Sequence, residues 1–239
     1  MSLKKYLTGQ FINVPGCLSF AHLQFQGHDL EPADKGKKVR RKIIRSMPHF
    51  FIRDIRDINP EVVKELGIKA IISDKDNTLT KTYSKKIIPE LEYALVELKS
   101  AVNQNFYVVS NSAGTFFYEE EAKAFELHNG IRVIRHFFKK PWGYKAALKQ
   151  IRVQSDEVMV IGDRIYTDIV FGNNMGALTV LVQKYTDEGE VTGISGLREK
   201  ELTELEEMCK EKGYRAPHHP KAKTELVTHN KLSDLYSEW

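Results

Sequence analysis

The sequence contains little cysteine and no long apolar run. Cys17 and Cys209 are its only cysteines among 239 residues, and neither has a second cysteine nearby. Neither a disulfide framework nor a CxxC zinc site is therefore indicated, and a reducing compartment fits this usage best. No apolar stretch approaches the roughly 18 residues that a membrane-spanning helix needs. Any contact with a membrane is expected to be peripheral.

The excess of charge is also small. The 36 lysines and arginines against 32 aspartates and glutamates give a net charge of +4, which does not predict nucleic acid binding unless the excess is clustered. Contents of 41% hydrophobic and 28% charged residues are typical of a globular protein and exclude disordered and collagen-like classes. At this length we expect one core domain with extensions.

The character of the sequence divides the chain into three parts. Residues 1–60 open with 28 residues that lack any acid, and then carry a basic block of seven lysines and arginines within residues 35–45. We expect this segment to lie against anionic lipid. A cleaved presequence and a solvated run of charge are the alternatives. Residues 61–185 form the predicted core, and residues 186–239 form an acidic extension of unassigned role.

The predicted core alternates short apolar runs with helical patterns. The apolar, β-branched runs predict strands at 68–73, 106–110, 131–135, 157–162 and 178–182. The helical patterns between them, near 87–101, 115–128, 143–152 and 167–175, are long enough for the crossovers that parallel strands require. Because the strands are apolar on both faces, helices should cover both sides. The sequence thus predicts an α/β fold with a doubly wound parallel sheet.

Two pairs of aspartates follow predicted strands. Asp74 and Asp76 come directly after the first strand, and Asp163 and Asp168 follow the fourth. Ligands of an open parallel sheet bind beyond the carboxyl ends of its strands. One aspartate there can attack phosphorus while a second serves as acid and base, and the other pair suits Mg²⁺. The alternatives are an Asp/Asn turn for the first pair and a helix-dipole contact for Asp168.

Two further strand ends carry polar groups. Ser110 and Asn111 end the second strand, where a hydroxyl and backbone N–H groups could grip a phosphoryl oxygen. Lys139 and Lys140 follow the third strand, where an ammonium could stabilise charge on transferring oxygens. Taken singly, an N-cap and a solvated lysine pair are the alternatives. It is improbable that polar groups suited to phosphate chemistry stand at all four strand ends by chance.

This set of residues resembles the haloacid dehalogenase (HAD) superfamily over roughly residues 68–182, with all four of its motifs. The resemblance implies that Asp74 is the nucleophile and a Mg²⁺ ligand. It implies that Asp76 is the general acid/base, with a backbone carbonyl that also binds the metal. Dehalogenase members lack this second acid, so Asp76 points to phosphate chemistry. It also implies that Ser110 binds the phosphoryl oxygens and that Lys140 neutralises charge. Asp163 would bind the metal directly, and Asp168 would be a second or outer metal ligand.

The spacing of the motifs predicts a core without a cap domain. Only 31 residues separate Thr78 from Ser110, and 29 separate Ser110 from Lys140, each spent on one helix and one strand. Such an open site suits a macromolecule or a headgroup projecting from a membrane. The expected substrate contacts are Asn111, Lys139 and Arg164, although the last is equally able to brace its loop through a salt bridge.

Four strings of the sequence carry a closer resemblance. DKDNT, VVSNSAG, RHFFKKPWG and VMVIGDRIYTDIVFGNNMG are similar to the phosphatidylglycerophosphate phosphatases of mitochondria and their bacterial relatives. The resemblance implies Mg²⁺-dependent removal of the terminal phosphate of this anionic phospholipid during cardiolipin synthesis. It implies a peripheral position on the matrix side of the mitochondrial inner membrane, or on a cytoplasmic membrane face in a bacterium. No nucleic acid partner is expected. An uncapped phosphatase of phosphoproteins or nucleic acid ends, and a catalytically silent scaffold, are the alternatives.

Overall fold

The fold is built on six parallel strands. The computed structural model describes residues 32–186, 194–210 and 212–236. The strands form one sheet in the order β1-β6-β5-β2-β3-β4, and every pair of neighbours is parallel. The doubly wound α/β prediction is therefore confirmed. The strands are β1 (Phe50–Ile52), β2 (Ala70–Ser73), β3 (Phe106–Val108), β4 (Arg132–Val133), β5 (Val158–Gly162) and β6 (Leu178–Val182).

Helices connect these strands and continue beyond the last one. Local sequence sets their ends: Asn59 accepts hydrogen bonds from the backbone N–H groups of Glu61 and Val62 where α2 begins, and Gly130 ends α4 in the left-handed conformation. The helices are α1 (Pro32–Ser46), α2 (Pro60–Glu65), α3 (Glu92–Ala101), α4 (Glu119–Asn129), α5 (Tyr144–Ile151), α6 (Val170–Met175), α7 (Ile194–Lys210) and α8 (Lys231–Tyr236).

Apolar clusters cover both faces of the sheet. On one face, Leu98 of α3 and Phe125 of α4 pack with residues of β2 and β5. On the other face, Ile151 of α5 and Phe171 of α6 pack with the alternate residues of the same strands. Every residue of β2 and β5 is consequently buried, which explains why both strands are continuously apolar in the sequence.

One edge strand lies upstream of the predicted core. β1 pairs with β6, with Phe50 opposite Val180, although the sequence pattern predicts a core that begins at residue 61. Three residues are too few to show a strand period, and the charged residues around them mask the signal. Ile43 and Met47 of α1 are also buried against the core. The packed core therefore includes residues that the sequence analysis assigned to the N-terminal segment.

The described part of the C-terminal extension packs against the same edge of the sheet. Leu205 and Met208 of α7 are buried in a cluster with Ile165, Ile169 and Leu181. Farther along, Asn230 Oδ1 accepts a hydrogen bond of 3.0 Å from the backbone N–H of Phe51, and Lys221 Nζ donates one of 2.6 Å to the carbonyl of Leu66. These contacts attach residues 194–210 and 212–236 to the core.

The connections after β2 and β3 leave the sheet at its carboxyl edge. Within the described residues, one α-helix joins β2 to β3 and another joins β3 to β4, so no inserted domain lies over that edge. No helix in the described ranges is both long and apolar enough to cross a membrane. The acid-free first 28 residues of the sequence lie outside these ranges.

Replacing Leu205 by alanine tests whether α7 is part of the cooperative core. Because Leu205 is fully buried against the β6 side of the sheet, its truncation should lower the free energy of unfolding by about 2–5 kcal/mol. Glu206→Ala on the exposed side of the same helix is the matched control and should change it by less than about 0.5 kcal/mol. Urea denaturation measures both, and equal values for the two variants would show that α7 is not packed as described.

Candidate active site

A buried lysine joins two of the predicted strand ends. Lys140, in the loop after β4, places Nζ 2.7 Å from Asp74 Oδ1 and 2.5 Å from Asp168 Oδ1. Asp74 follows β2 and Asp168 lies after β5, and these two strands are neighbours in the sheet. The Lys140 side chain is only 4% exposed. A buried cation of this kind needs its partners, so this ion-pair network fixes three loops relative to one another.

Three aspartates form a candidate metal centre at the same edge. Asp74, Asp163 and Asp168 each offer a carboxylate oxygen, and these oxygens lie within 4.8 Å of one another. Asp163 Oδ1 is buried and accepts no hydrogen bond from the described residues. A hard cation such as Mg²⁺ binds through one or two carboxylates together with other oxygen ligands. The residues present therefore fit a divalent cation.

Burial and mutual repulsion control the charges in this centre. Burial raises the pKa of Asp163 to about 7, and although Arg198 opposes this shift, Asp74 and Asp168 add to it. Burial likewise raises the pKa of Asp168, against the effect of Lys140. Burial alone would lower the pKa of Lys140, but Asp168 and Asp74 outweigh it and hold that pKa above its usual range. Lys140 is therefore charged, and additional positive charge would stabilise the carboxylates around it.

Asp168 is positioned by one turn of π-helix and by a glycine. The turn spans Ile165–Ile169, and the backbone N–H of Arg164 donates a 3.1 Å hydrogen bond to Asp168 Oδ2. A Cβ atom on Gly162 would lie only 2.3 Å from Asp168 Cγ. Only a glycine at the end of β5 allows the carboxylate to lie so close to the strand. π-Turns of this kind are frequent at functional sites.

Asp76 lies outside the group of three aspartates. Its carboxylate accepts hydrogen bonds from Lys75 Nζ at 2.5 Å, from the backbone N–H of Tyr83 at 2.7 Å and from the Ser112 hydroxyl. Asn77, next in the chain, adopts a left-handed φ of 61°, a conformation that asparagine tolerates better than most residues. The turn thus separates the directions of Asp74 and Asp76, so that one faces Lys140 and the other faces Ser112.

The loop after β3 holds Ser110 and Asn111 beside these groups. Ser110 is buried, and its hydroxyl lies 2.9 Å from that of Ser112. Asn111 Oδ1 accepts a 2.8 Å hydrogen bond from the backbone N–H of Lys140, so this amide clamps the lysine loop. Ring nitrogens of His136 contact the carbonyls of Ser110 and Phe138, which ties the same two loops together.

The two remaining predicted substrate contacts, Lys139 and Arg164, differ in their surroundings. Lys139 is half-buried, and its Nζ lies 5.5 Å from the centroid of the Tyr118 ring. Burial lowers the pKa of Lys139 to about 8. Arg164 is buried instead of facing the opening, and its guanidinium forms a 2.6 Å ion pair with Glu201. Of the two roles that the sequence allowed for Arg164, the structure therefore supports bracing the loop.

The C-terminal extension contributes two residues that sequence reasoning missed. Glu201 of α7 accepts hydrogen bonds from Arg164 and from the backbone N–H of Ile165, and Arg198 pairs with Asp163 at 2.6 Å. Residues 198 and 201 are three apart and share one face of the helix. A glutamate and an arginine in a helix rich in charge carry no signal that sets them apart. Ser112, in the loop after β3, was also missed: its hydroxyl contacts Asp76, but its sequence surroundings are those of an ordinary turn.

Comparison with known proteins finds a matching family and several relatives. The family described as mitochondrial PGP phosphatase matches residues 36–186. The chain is 40% identical over 163 residues to phosphatidylglycerophosphate phosphatase 1, chloroplastic/mitochondrial, of Arabidopsis thaliana, an alignment that covers 66% of this chain and 47% of the relative. It is 39% identical over 153 residues to phosphatidylglycerophosphate phosphatase 1, chloroplastic, of Chlamydomonas reinhardtii. This alignment covers 62% of this chain and 57% of the relative.

A third similarity concerns a shorter bacterial protein. The chain is 33% identical over 138 residues to a probable phosphatase of Bacillus subtilis, and the alignment covers 57% of this chain and 76% of that protein. The chain spans about half the length of the plant and algal relatives that it matches. No solved structure matches it significantly. The matched segment includes β1 and ends before α7.

Replacing Gly162 by alanine tests the close approach of Asp168. The added methyl group would overlap the carboxylate, so Asp168 must move, and Mg²⁺ affinity should fall by about tenfold or more. Gly196→Ala on α7 makes the same chemical change where a Cβ meets nothing within 4 Å and should leave the affinity unchanged. Isothermal titration with Mg²⁺ measures both, and unaltered binding in the Gly162 variant would contradict the described packing.

Proposed function

Because the chain belongs to the mitochondrial phosphatidylglycerophosphate phosphatase family, we propose that it is a phosphoric monoester hydrolase that converts phosphatidylglycerophosphate to phosphatidylglycerol. The observation that carries this proposal is the pairing of Lys140 with Asp74 and Asp168. It holds a carboxylate nucleophile beside a fixed positive charge at the open edge of the sheet. All three residues lie within the segment that matches the family.

The first chemical step forms a bond between Asp74 and phosphorus. An oxygen of the Asp74 carboxylate attacks the terminal phosphorus, and the bond from phosphorus to the glycerol oxygen breaks. The leaving oxygen takes the proton that Asp76 donates in its acid form. Lys140 stabilises the negative charge on the transferring oxygens, since its ammonium group already lies 2.7 Å from the nucleophile. The products of this step are phosphatidylglycerol and an aspartyl-phosphate.

The second step regenerates the enzyme. A water molecule attacks the phosphorus of the aspartyl-phosphate while Asp76 takes its proton, and the bond to Asp74 breaks to release inorganic phosphate. The contacts of Asp76 with Lys75, Tyr83 and Ser112 orient its carboxylate between these two proton transfers. The same residue therefore gives a proton in one step and receives one in the next.

Asp74, Asp163 and Asp168, together with the backbone carbonyl of Asp76, would hold the metal ion. Mg²⁺ bound there would neutralise charge on the phosphoryl group and on the carboxylates that surround it. Burial raises the pKa values of Asp163 and Asp168, so these groups bind a cation best when the solution pH keeps them ionised.

Ser110, Asn111 and Lys139 form the proposed binding site for the phosphate oxygens. The Ser110 hydroxyl lies beside Ser112, which in turn contacts Asp76. Asn111 also positions Lys140, because its side-chain oxygen accepts a hydrogen bond from the backbone N–H of that lysine. Arg164 stabilises the Asp168 turn from behind through Glu201. In this arrangement Arg164 is a positioning residue and makes no contact with substrate.

The open edge of the sheet and the basic first segment support a substrate embedded in a membrane. Arg40 and Arg41 of α1 are exposed, and clustered cations gain about 1 kcal/mol each near an anionic lipid surface. We assign the protein to the matrix side of the mitochondrial inner membrane as a peripheral enzyme. The described residues include no spanning helix. The family favours lipid over the phosphoprotein and nucleic acid alternatives.

Asp74→Asn should abolish release of phosphate. The amide cannot attack phosphorus, so turnover on vesicles that contain phosphatidylglycerophosphate should fall at least about a thousandfold. Exposed Asp156→Asn makes the same chemical change away from the site and should retain full turnover. Phosphopeptides and oligonucleotides with terminal phosphates serve as competing substrates. Wild-type turnover by the Asp74 variant would contradict the mechanism, and faster turnover on a phosphopeptide would contradict the substrate.

The pKa of Lys139 predicts how substrate affinity depends on pH. Since that pKa is lowered to about 8, the ammonium group is charged below this pH and neutral above it, and KM should rise as the pH passes about 8. Lys139→Arg keeps its charge, so KM of this variant should stay flat over the same range. Steady-state kinetics between about pH 7 and pH 9 test this, and identical profiles for the two proteins would exclude Lys139 from substrate binding.

A further inference from the structure

The exposed aromatic side chains are concentrated on three loops. Eight aromatic residues of the described ranges are exposed, and six of them lie on the loops that follow β2, β3 and β4. Singly exposed apolar residues are normal on a protein surface, whereas a concentration of them marks an interaction site. These six residues, here called the aromatic rim, are Tyr83, Phe116, Phe117, Phe137, Phe138 and Trp142.

Contacts within and between two of the loops hold four of these rings close together. The Phe116 and Phe117 rings lie 5.5 Å apart, and the Phe137 and Phe138 rings 5.1 Å apart. The backbone N–H of His136 donates a 3.0 Å hydrogen bond to the carbonyl of Gly114, which joins the loop after β4 to the loop after β3. The large exposed fractions, 79% for both Phe116 and Phe137, show that these rings project from joined loops without packing on the core.

The rim lies beside the catalytic groups. Lys140 is buried in the ion-pair network, while Trp142, two residues later, is 58% exposed. The backbone N–H of Tyr83 donates to Asp76. A surface that contacts the rim therefore contacts the entrance of the site. The far edge of the sheet, at β1, carries none of the six rings.

The charge of the three loops favours an anionic occupant. The loop stretches that carry the rim, residues 77–89, 111–118 and 136–143, contain no aspartate or glutamate, and the first acids after the second stretch are Glu119, Glu120 and Glu121 in the first turn of α4. The exposed cations of these loop stretches are Lys81, Lys85 and Lys86. Apolar rings together with lysines and no acid are suited to the interface of an anionic bilayer, where rings enter below the headgroups and cations stay among them.

We propose that the aromatic rim is the surface by which the protein docks on an anionic phospholipid bilayer. This inference rests on the proposed function, because a lipid substrate presents its phosphate at the bilayer surface. With the rim against the headgroups, the open edge of the sheet faces the bilayer, and a phosphate can reach Asp74 without leaving the membrane.

The test replaces rim residues that have no catalytic role. Phe116→Ser combined with Phe117→Ser should weaken binding to phosphatidylcholine vesicles containing phosphatidylglycerol and phosphatidylglycerophosphate by roughly tenfold or more. Phosphate release from these vesicles should fall in parallel, whereas release from dispersed short-chain phosphatidylglycerophosphate should stay at the wild-type rate. Val96→Ser combined with Leu127→Ser removes exposed apolar side chains of α3 and α4 outside the rim and should change neither.

The outcomes separate the docking surface from the activity. Undiminished vesicle binding by the Phe116 and Phe117 variant would overturn the inference and leave a protein as the partner of the rim. Loss of binding only after charge reversal at Arg40 and Arg41 would overturn it as well. If the wild type bound vesicles through the rim but released phosphate from neither lipid, the docking surface would stand and the proposed function would fail.

Trp142 supplies a direct readout of insertion. The sequence has two tryptophans, so in a Trp239→Phe background the emission reports on Trp142 alone. On addition of the same vesicles, this emission should shift to shorter wavelength and be quenched by brominated lipid, because the ring enters an apolar layer. Unchanged emission at a vesicle concentration that binds the protein would contradict docking through the rim.

Discussion

The site depends on one buried cation. Lys140 is 4% exposed and has carboxylate oxygens of Asp74 and Asp168 within 2.7 Å. An unpaired charge at this depth would be strongly destabilising, and a correctly paired one is tolerated. The two aspartates follow neighbouring strands, and the lysine comes from the far edge of the sheet. The electrostatic requirement of a single side chain therefore holds three loops in the arrangement that the proposed mechanism uses.

Much of this arrangement was predictable because strand ends in a parallel sheet share one edge. The strands around Asp74, Ser110 and Asp163 are continuously apolar, so their ends are visible in the sequence, and the shared edge brings the polar residues together. The uncapped architecture followed from the short spacing between motifs. These predictions required only local patterns and a rule of topology.

The remaining parts depend on contacts distant in sequence. β1 has three residues and is a strand because β6 lies beside it. Arg198 and Glu201 reach Asp163 and Arg164 only because α7 folds back on the sheet. The local sequence of α7 is that of any helix rich in charge. Lys75 similarly shows its role only through its 2.5 Å contact with Asp76. In each of these cases the structural role of the residue depends on packing between elements that are distant in sequence.

The account separates the chemical groups from the surface that delivers the substrate. In the proposed mechanism, buried side chains at the ends of the strands perform the chemistry, and in the proposed docking mode exposed rings on neighbouring loops face the lipid. Asp74, Ser110 and Lys140 lie on the same three loops as the rings, so docking through these loops would place the lipid next to the proposed catalytic groups. The central claim is that Asp74 becomes phosphorylated. Acid quenching during turnover of substrate labelled in its terminal phosphate, followed by peptide mapping, should find the label on Asp74. Label on another residue, or none during rapid turnover, would contradict the account.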